Sequence, residues 1–196
     1  RKHGIQVRGF IRIFLPILSR DYNSRNHRKV VVIDGRVGYM GGMNIAQRYA
    51  EGLKWGIWRD THMRITGPAV SELQTSFLTD WKFTKGDEPD LAPMYPYNPP
   101  CGNTLMQIVT GGPMDKWNVM MQAYMTAIAS ARHHAYLQSP YFIPPEPIMK
   151  TLQNAALSGV DVRVMIPYRG DKGVLPPWAS RSYFKEALNA GIRIYL

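Results

Sequence analysis

With 196 residues, 45% of them hydrophobic, the chain is long enough to bury a core as one domain or as two half-sized ones. A single cysteine, Cys101, excludes an internal disulfide and a cysteine-rich metal site. No apolar run approaches the ~20 residues of a membrane span, and residues 10–18 are broken by Arg12 and Pro16. The net charge of +10 is uneven: nine Lys or Arg face two Asp in residues 1–36, a composition suited to phosphate on lipid headgroups or on nucleic acid.

Residues 4–7 and 10–14 read as extended segments that feed a hairpin. Val30-Val31-Val32-Ile33 is a β-branched run ending in Asp34-Gly35, a strong hairpin signal, and residues 36–40 form the returning strand. Side chains alternate faces along a strand, so His27 and Lys29 share a side, with Val31 and Ile33 further along it. Gly41-Gly42 permits a tight turn, and Asn44 is set to open a helix over residues 45–49, whose N-terminus would offer free N–H groups to an anion. Arg25, just before this stretch, fits either a contact to the same anion or simple surface charge. The polar–apolar alternation of residues 60–65 predicts a half-buried strand with Asp60, His62 and Arg64 on one face. Pro68 then begins a helix whose Val70, Leu73, Phe77 and Trp81 follow helical spacing, as core residues do.

Residues 84–104 hold five prolines with little periodicity and read as a linker. Residues 104–109 look like a strand, and Asp115 is placed to cap a helix with Trp117, Met120, Tyr124 and Ile128 on its apolar side. A strand over 135–138 runs into Ser139-Pro140-Tyr141-Phe142-Ile143-Pro144. Pro147 begins a helix that stops near Gly159, a plausible C′ glycine. A buried strand over 160–166, a helix over 177–189 and a last strand over 192–196 complete the pattern. Strand–helix–strand alternation at this spacing predicts parallel pairing in a layered α/β fold. His3-Gly4-Ile5-Gln6-Val7 is echoed by Ala190-Gly191-Ile192-Arg193-Ile194, which hints at an internal repeat.

His27, Lys29 and Asp34, followed by Gly41, Gly42 and Asn44, spell H-x-K-x4-D and then G-G-x-N. This resembles the signature of the phospholipase D superfamily, with every position filled. Trp58-Arg59-Asp60-Thr61-His62, Gly67-Pro68-Ala69-Val70 and Asp80-Trp81 are similar to the segment after the first such motif in bacterial cardiolipin synthases. Ser139 to Pro144, Gly159-Val160-Asp161-Val162-Arg163 and Trp178 to Phe184 are similar to the front of their second half. The resemblance implies an α/β fold: a phospholipase D-like mixed β-sheet flanked by helices, layered α/β/α, in parts of two pseudo-repeated halves. On that pattern residues 1–83 are the rear of the first half with its motif, 84–104 the linker, and 105–196 the front of the second. A second H-x-K does not follow, since His133-His134 leads into Ala135 and Tyr136. On that resemblance the chain alone is expected to be inactive and to be without the N-terminal membrane segments usual in that family.

The chemistry implied by the resemblance is phosphodiester transfer through a phosphohistidine. His27 is the expected nucleophile, because a neutral imidazole attacks phosphorus and also leaves it readily. Lys29 supplies positive charge to the non-bridging oxygens, and Asn44 donates an amide hydrogen bond to them, with Gly42 and Arg25 beside the phosphate. Asp34 supplies the third letter of the motif and belongs to the candidate catalytic set, though its Asp-Gly turn gives it a structural part. Asp60 is the candidate carboxylate for holding His27 in its working tautomer. His62 reads as packed or polar surface. Tyr141 and Phe142 follow a strand, where α/β sites open, and would line a substrate pocket. Leu175-Pro176-Pro177-Trp178 fits either an acyl-chain contact or an ordinary helix entry. No metal and no other cofactor is expected, since lysine charge substitutes for it. The expected partner is an anionic phospholipid, phosphatidylglycerol, at the surface of a bacterial cell membrane, with nucleic acid disfavoured. Self-association would bring two histidines together. Two alternatives stay open: a phosphodiesterase or nuclease of the same superfamily, and an inactive chain that only binds anionic surfaces.

Overall fold

The computed structural model describes residues 3–10, 26–53, 56–112, 115–168 and 175–196. Arg25 and most of the expected extended segment 10–14 lie outside them. The chain forms two compact units, Arg1–Ile108 and Val109–Leu196.

The first unit is built on an antiparallel sheet of β1 (Val30–Ile33), β2 (Val37–Gly41) and β3 (His62–Thr66), in that order. Asp34 and Gly35 carry φ of 53° and 62°, the paired positive values of a type I′ turn, and Arg36 N donates to Ile33 O at 3.0 Å. The register sets Val31 opposite Tyr39 and Gly41 opposite His62. One face of the sheet is covered by α2 (Ala69–Phe83), which follows the short α1 (Arg48–Glu51). Val70, Leu73 and Ile65 are buried there with Val30, Val32 and Met40 packed on them. Gly38 lets the helix approach: a Cβ would fall 2.5 Å from Leu73 Cδ1.

Val70 and Leu73 are core, as their spacing predicts, but Phe77 is exposed and Trp81 only half-buried. The two rings stack on each other instead, their centroids 6.1 Å apart. The proline-rich stretch, read as a linker, instead lies against this unit. Trp81 Nε1 donates to Asp87 O at 3.0 Å, Thr75 Oγ1 meets Tyr95 OH at 3.0 Å, and Asn98 Nδ2 donates to Gly35 O at 2.7 Å. Prolines remove backbone donors, and side chains supply the attachment. Residues 104–109 form no strand, and Ile108 packs on the first core.

The second unit contains α3 (Val119–Ala129), β4 (His134–Gln138), α4 (Glu146–Leu157), β5 (Asp161–Met165), α5 (Leu175–Ser182), α6 (Phe184–Asn189) and β6 (Arg193–Tyr195). Its three strands pair in parallel, in the order β4-β5-β6, as the alternation predicts. The mixed character of this α/β fold therefore comes from one antiparallel and one parallel sheet. Asn118, not Asp115, caps α3, its Oδ1 accepting from Met121 N at 3.1 Å, while Asp115 accepts from Gly112 N at 2.7 Å. Of the expected apolar side of α3 only Ile128 is buried; Trp117, Met120 and Tyr124 are exposed. Gly159, at φ 90°, ends α4 as expected. The helix over 177–189 is divided into α5 and α6. Residues 4–7 are exposed and unpaired in any described strand, whereas their echo at the other end forms β6. Among the described residues no helix is long and apolar enough to cross a membrane.

Val162 and Val164 of β5 meet Met149, Leu152 and Ala155 of α4 and Ile192 in the second core. Leu152 is completely buried, so Leu152→Ala should cost about 2–5 kcal/mol in equilibrium urea unfolding. The alternate residues of these strands face outward. There Asp161 accepts from Arg163 Nε at 2.9 Å and from Tyr136 OH at 3.0 Å. The Arg163 hydrogen bond, helped by that of Tyr136, holds the Asp161 carboxyl below its usual range. A depressed folded value stabilises the protein above the unfolded value of about 3.9 and loses that contribution as pH falls through the folded one. Asp161→Asn should therefore lower Tm near neutrality and flatten its decline below about pH 4, which a thermal melt at each pH measures.

Candidate active site

Residues 26–29 lead into β1 without being part of a strand. Asn26 and Arg28 turn toward α2, where Asn26 Nδ2 donates to Asp80 Oδ2 at 2.7 Å and Arg28 Nη1 forms an ion pair with Asp80 Oδ1. Arg28 N also donates to Asn26 Oδ1 at 2.9 Å. His27 and Lys29 alternate in sequence with those two residues, and no hydrogen bond ties either side chain to α2 among the described residues. His27 is exposed, and Lys29 is half-buried with its Nζ donating to the His27 carbonyl at 2.6 Å. Burial lowers the Lys29 ammonium from its ordinary value, against the opposing pull of Tyr49 and Asp60 nearby.

Gly42 packs against the Asp60 carboxylate. A Cβ at that position would meet Asp60 Oδ1, so any other residue there obliges the carboxylate to move. Gly42 N donates to Thr61 O at 3.0 Å, and Asp60 Oδ1 accepts from Thr61 N at 2.7 Å. The structure thus brings Asp60 to Gly42 and near Lys29. It does not join Asp60 to His27: among the described residues those side chains share no hydrogen bond.

Asn44 does not open a helix. α1 begins at Arg48, its N-cap Gln47 makes no side-chain cap, and four residues are too few for the expected anion cradle. Asn44 Nδ2 instead donates to Tyr49 OH at 2.9 Å. Behind that pair the Arg48 guanidinium lies 5.4 Å from the Tyr49 ring centre and 4.9 Å from that of Trp58. Cation and ring attract one another, which ties Arg48 and Trp58 to Tyr49, the partner of Asn44.

Asp34 stands in the hairpin turn at the opposite end of β1 from His27, where its positive φ serves the backbone. That position separates it from the other candidate catalytic groups. His62, opposite Gly41, is packed: its Nδ1 is buried without a hydrogen-bond partner among the described residues. In the second unit Phe142 is a core residue, its N–H donating to the buried Ser180 Oγ at 3.0 Å, and so does not line a pocket. Tyr141 is half-buried beside it. A shallow hollow at the C-terminal ends of the parallel strands is lined by Pro140, Ile166, Tyr168, Ser180 and Arg181. Leu175 and Trp178 are exposed on α5. Arg25 is outside the described residues.

Sequence reasoning missed Asp80, Tyr49 and Arg48 as site companions. The alternation that pairs His27 with Lys29 also sends Asn26 and Arg28 to the other side, which was the available signal for a partner there.

Residues 124–196 match the family described as "Cardiolipin synthase, PLD-like domain". The whole chain is similar to the cardiolipin synthase of Geobacillus kaustophilus, at 46% identity over 200 residues. Over 98% of its length it is 44% identical to cardiolipin synthase 2 of Bacillus cereus and 42% identical to cardiolipin synthase 1 of Staphylococcus aureus. It spans 39%, 38% and 39% of those relatives. The family match falls in the second unit; the His27 hairpin lies within the longer similarity to the relatives.

Proposed function

We propose that this chain, which belongs to the phospholipase D-like family of the cardiolipin synthases, supplies one half of a site that joins two phosphatidylglycerol molecules into cardiolipin and glycerol. Exposed His27 and half-buried Lys29, tied just ahead of β1 by the Lys29 Nζ donation to the His27 carbonyl, carry this reading.

A ring nitrogen of His27 bonds to phosphorus as the bond to the glycerol oxygen breaks, and a general acid protonates the departing glycerol. The hydroxyl of a second phosphatidylglycerol then gives up its proton to a base and attacks phosphorus. The phosphorus–nitrogen bond breaks and His27 is restored. In both steps negative charge grows on the non-bridging oxygens, which Lys29 and Asn44 stabilise beside Gly42. Asp60 adjusts the field at Lys29 and, with substrate bound, orients His27. The acid and base come from a second half-site in the full-length protein, so this chain by itself turns over no lipid. The site works at the surface of the bacterial cell membrane, where its phospholipids reside.

The full-length protein incubated with phosphatidylglycerol vesicles tests the reading. Cardiolipin and glycerol in equal amounts support it. Phosphatidic acid alone would indicate a hydrolase, and cleavage of nucleic acid without lipid turnover would make it a nuclease.

A further inference from the structure

Asp80 lies on α2 and holds both neighbours of the candidate nucleophile. Its two carboxylate oxygens are divided between Asn26 Nδ2 and Arg28 Nη1, and its side chain retains 17% exposure. The Asn26 side chain also accepts from Arg28 N, closing a ring of contacts around His27. Charge-assisted hydrogen bonds are the stronger kind, and here they join a loop entering the sheet to a long helix. Asn26 and Arg28 are thereby tied to α2 on either side of His27, which fixes the backbone that carries His27 and Lys29.

We propose that Asp80 is a positioning residue: its clamp on Asn26 and Arg28 aims His27 and Lys29 at the phosphate without touching substrate. This inference rests on His27 being the nucleophile. Small misplacements of a reacting group are expensive, so kcat should fall by roughly 10–100-fold in Asp80→Ala with KM little changed. Asp80→Asn keeps the shape and the Asn26 contact region but loses the charge that binds Arg28, and should fall between.

Two measurements test it. In the full-length protein, kcat and KM of Asp80→Ala and Asp80→Asn are compared with wild type and with His27→Ala on phosphatidylglycerol vesicles. In this chain, amide hydrogen exchange of a peptide covering residues 26–33 is compared with that of a peptide covering β5. A fall in kcat together with faster exchange at 26–33 alone supports the clamp. Unchanged kcat in Asp80→Ala, or exchange that rises everywhere, overturns it. Lipid turnover that persists in His27→Ala would instead overturn the functional reading, while the exchange comparison still judges whether Asp80 holds the strand.

Discussion

Full-length protein carrying His27→Ala is expected to lose lipid turnover, its kcat falling by a factor on the order of 10⁴ or more, the scale of removing a covalent nucleophile. On the proposed mechanism alanine removes the atom that bonds to phosphorus in the first step, and it leaves the local structure alone. His27 is exposed, and the contacts that fix its segment are made by its backbone carbonyl and by Asn26 and Arg28. Folding should therefore be unchanged, and a thermal melt matching wild type would assign the loss to chemistry. A merely structural imidazole at so open a position would give the opposite pattern, with turnover retained.

Lys29→Gln is expected to lower kcat by roughly 10²–10³-fold, the cost of one preorganised contact to developing charge. Glutamine keeps a donor and most of the length but removes the charge. The half-burial that depresses the Lys29 ammonium also thins the water around it, so its field at a bound phosphate is less screened than at an open surface. Lys29 Nζ also donates to the His27 carbonyl, so the substitution loosens that tie. Steady-state kinetics on vesicles separate the two parts. A drop in kcat with little change in KM reports transition-state charge, whereas a parallel loss of Tm reports the tie.

Local patterns carried most of the fold. The Asp34-Gly35 pair read as a hairpin turn because only positive φ closes it, and the structure has it there. The parallel order of β4, β5 and β6 followed from helices of the right length between short apolar strands. Where reading failed, the competing effect was tertiary. Phe77 and Tyr124 have helical spacing but no layer over them, since spacing fixes a face and not what meets it. Asn44 looked like a helix cap because its residue type favours one, yet Tyr49 takes its side chain and the helix starts later. The proline-rich stretch has the composition of a linker, and its tie to Gly35 through Asn98 spans 63 residues. Asp80 was illegible as part of the site for the same reason. Its partners lie 54 and 52 residues earlier, outside any window in which periodicity speaks.

The most direct test of the account is to catch the intermediate. Full-length protein is mixed with phosphatidylglycerol bearing a labelled phosphate, quenched in alkali, in which phosphohistidine survives, and digested for peptide mapping. The label is expected on the imidazole of His27, absent in His27→Ala and chased into cardiolipin when unlabelled phosphatidylglycerol is added before the quench. Label on a different residue, or cardiolipin formed with no labelled histidine at any quench time, would contradict it.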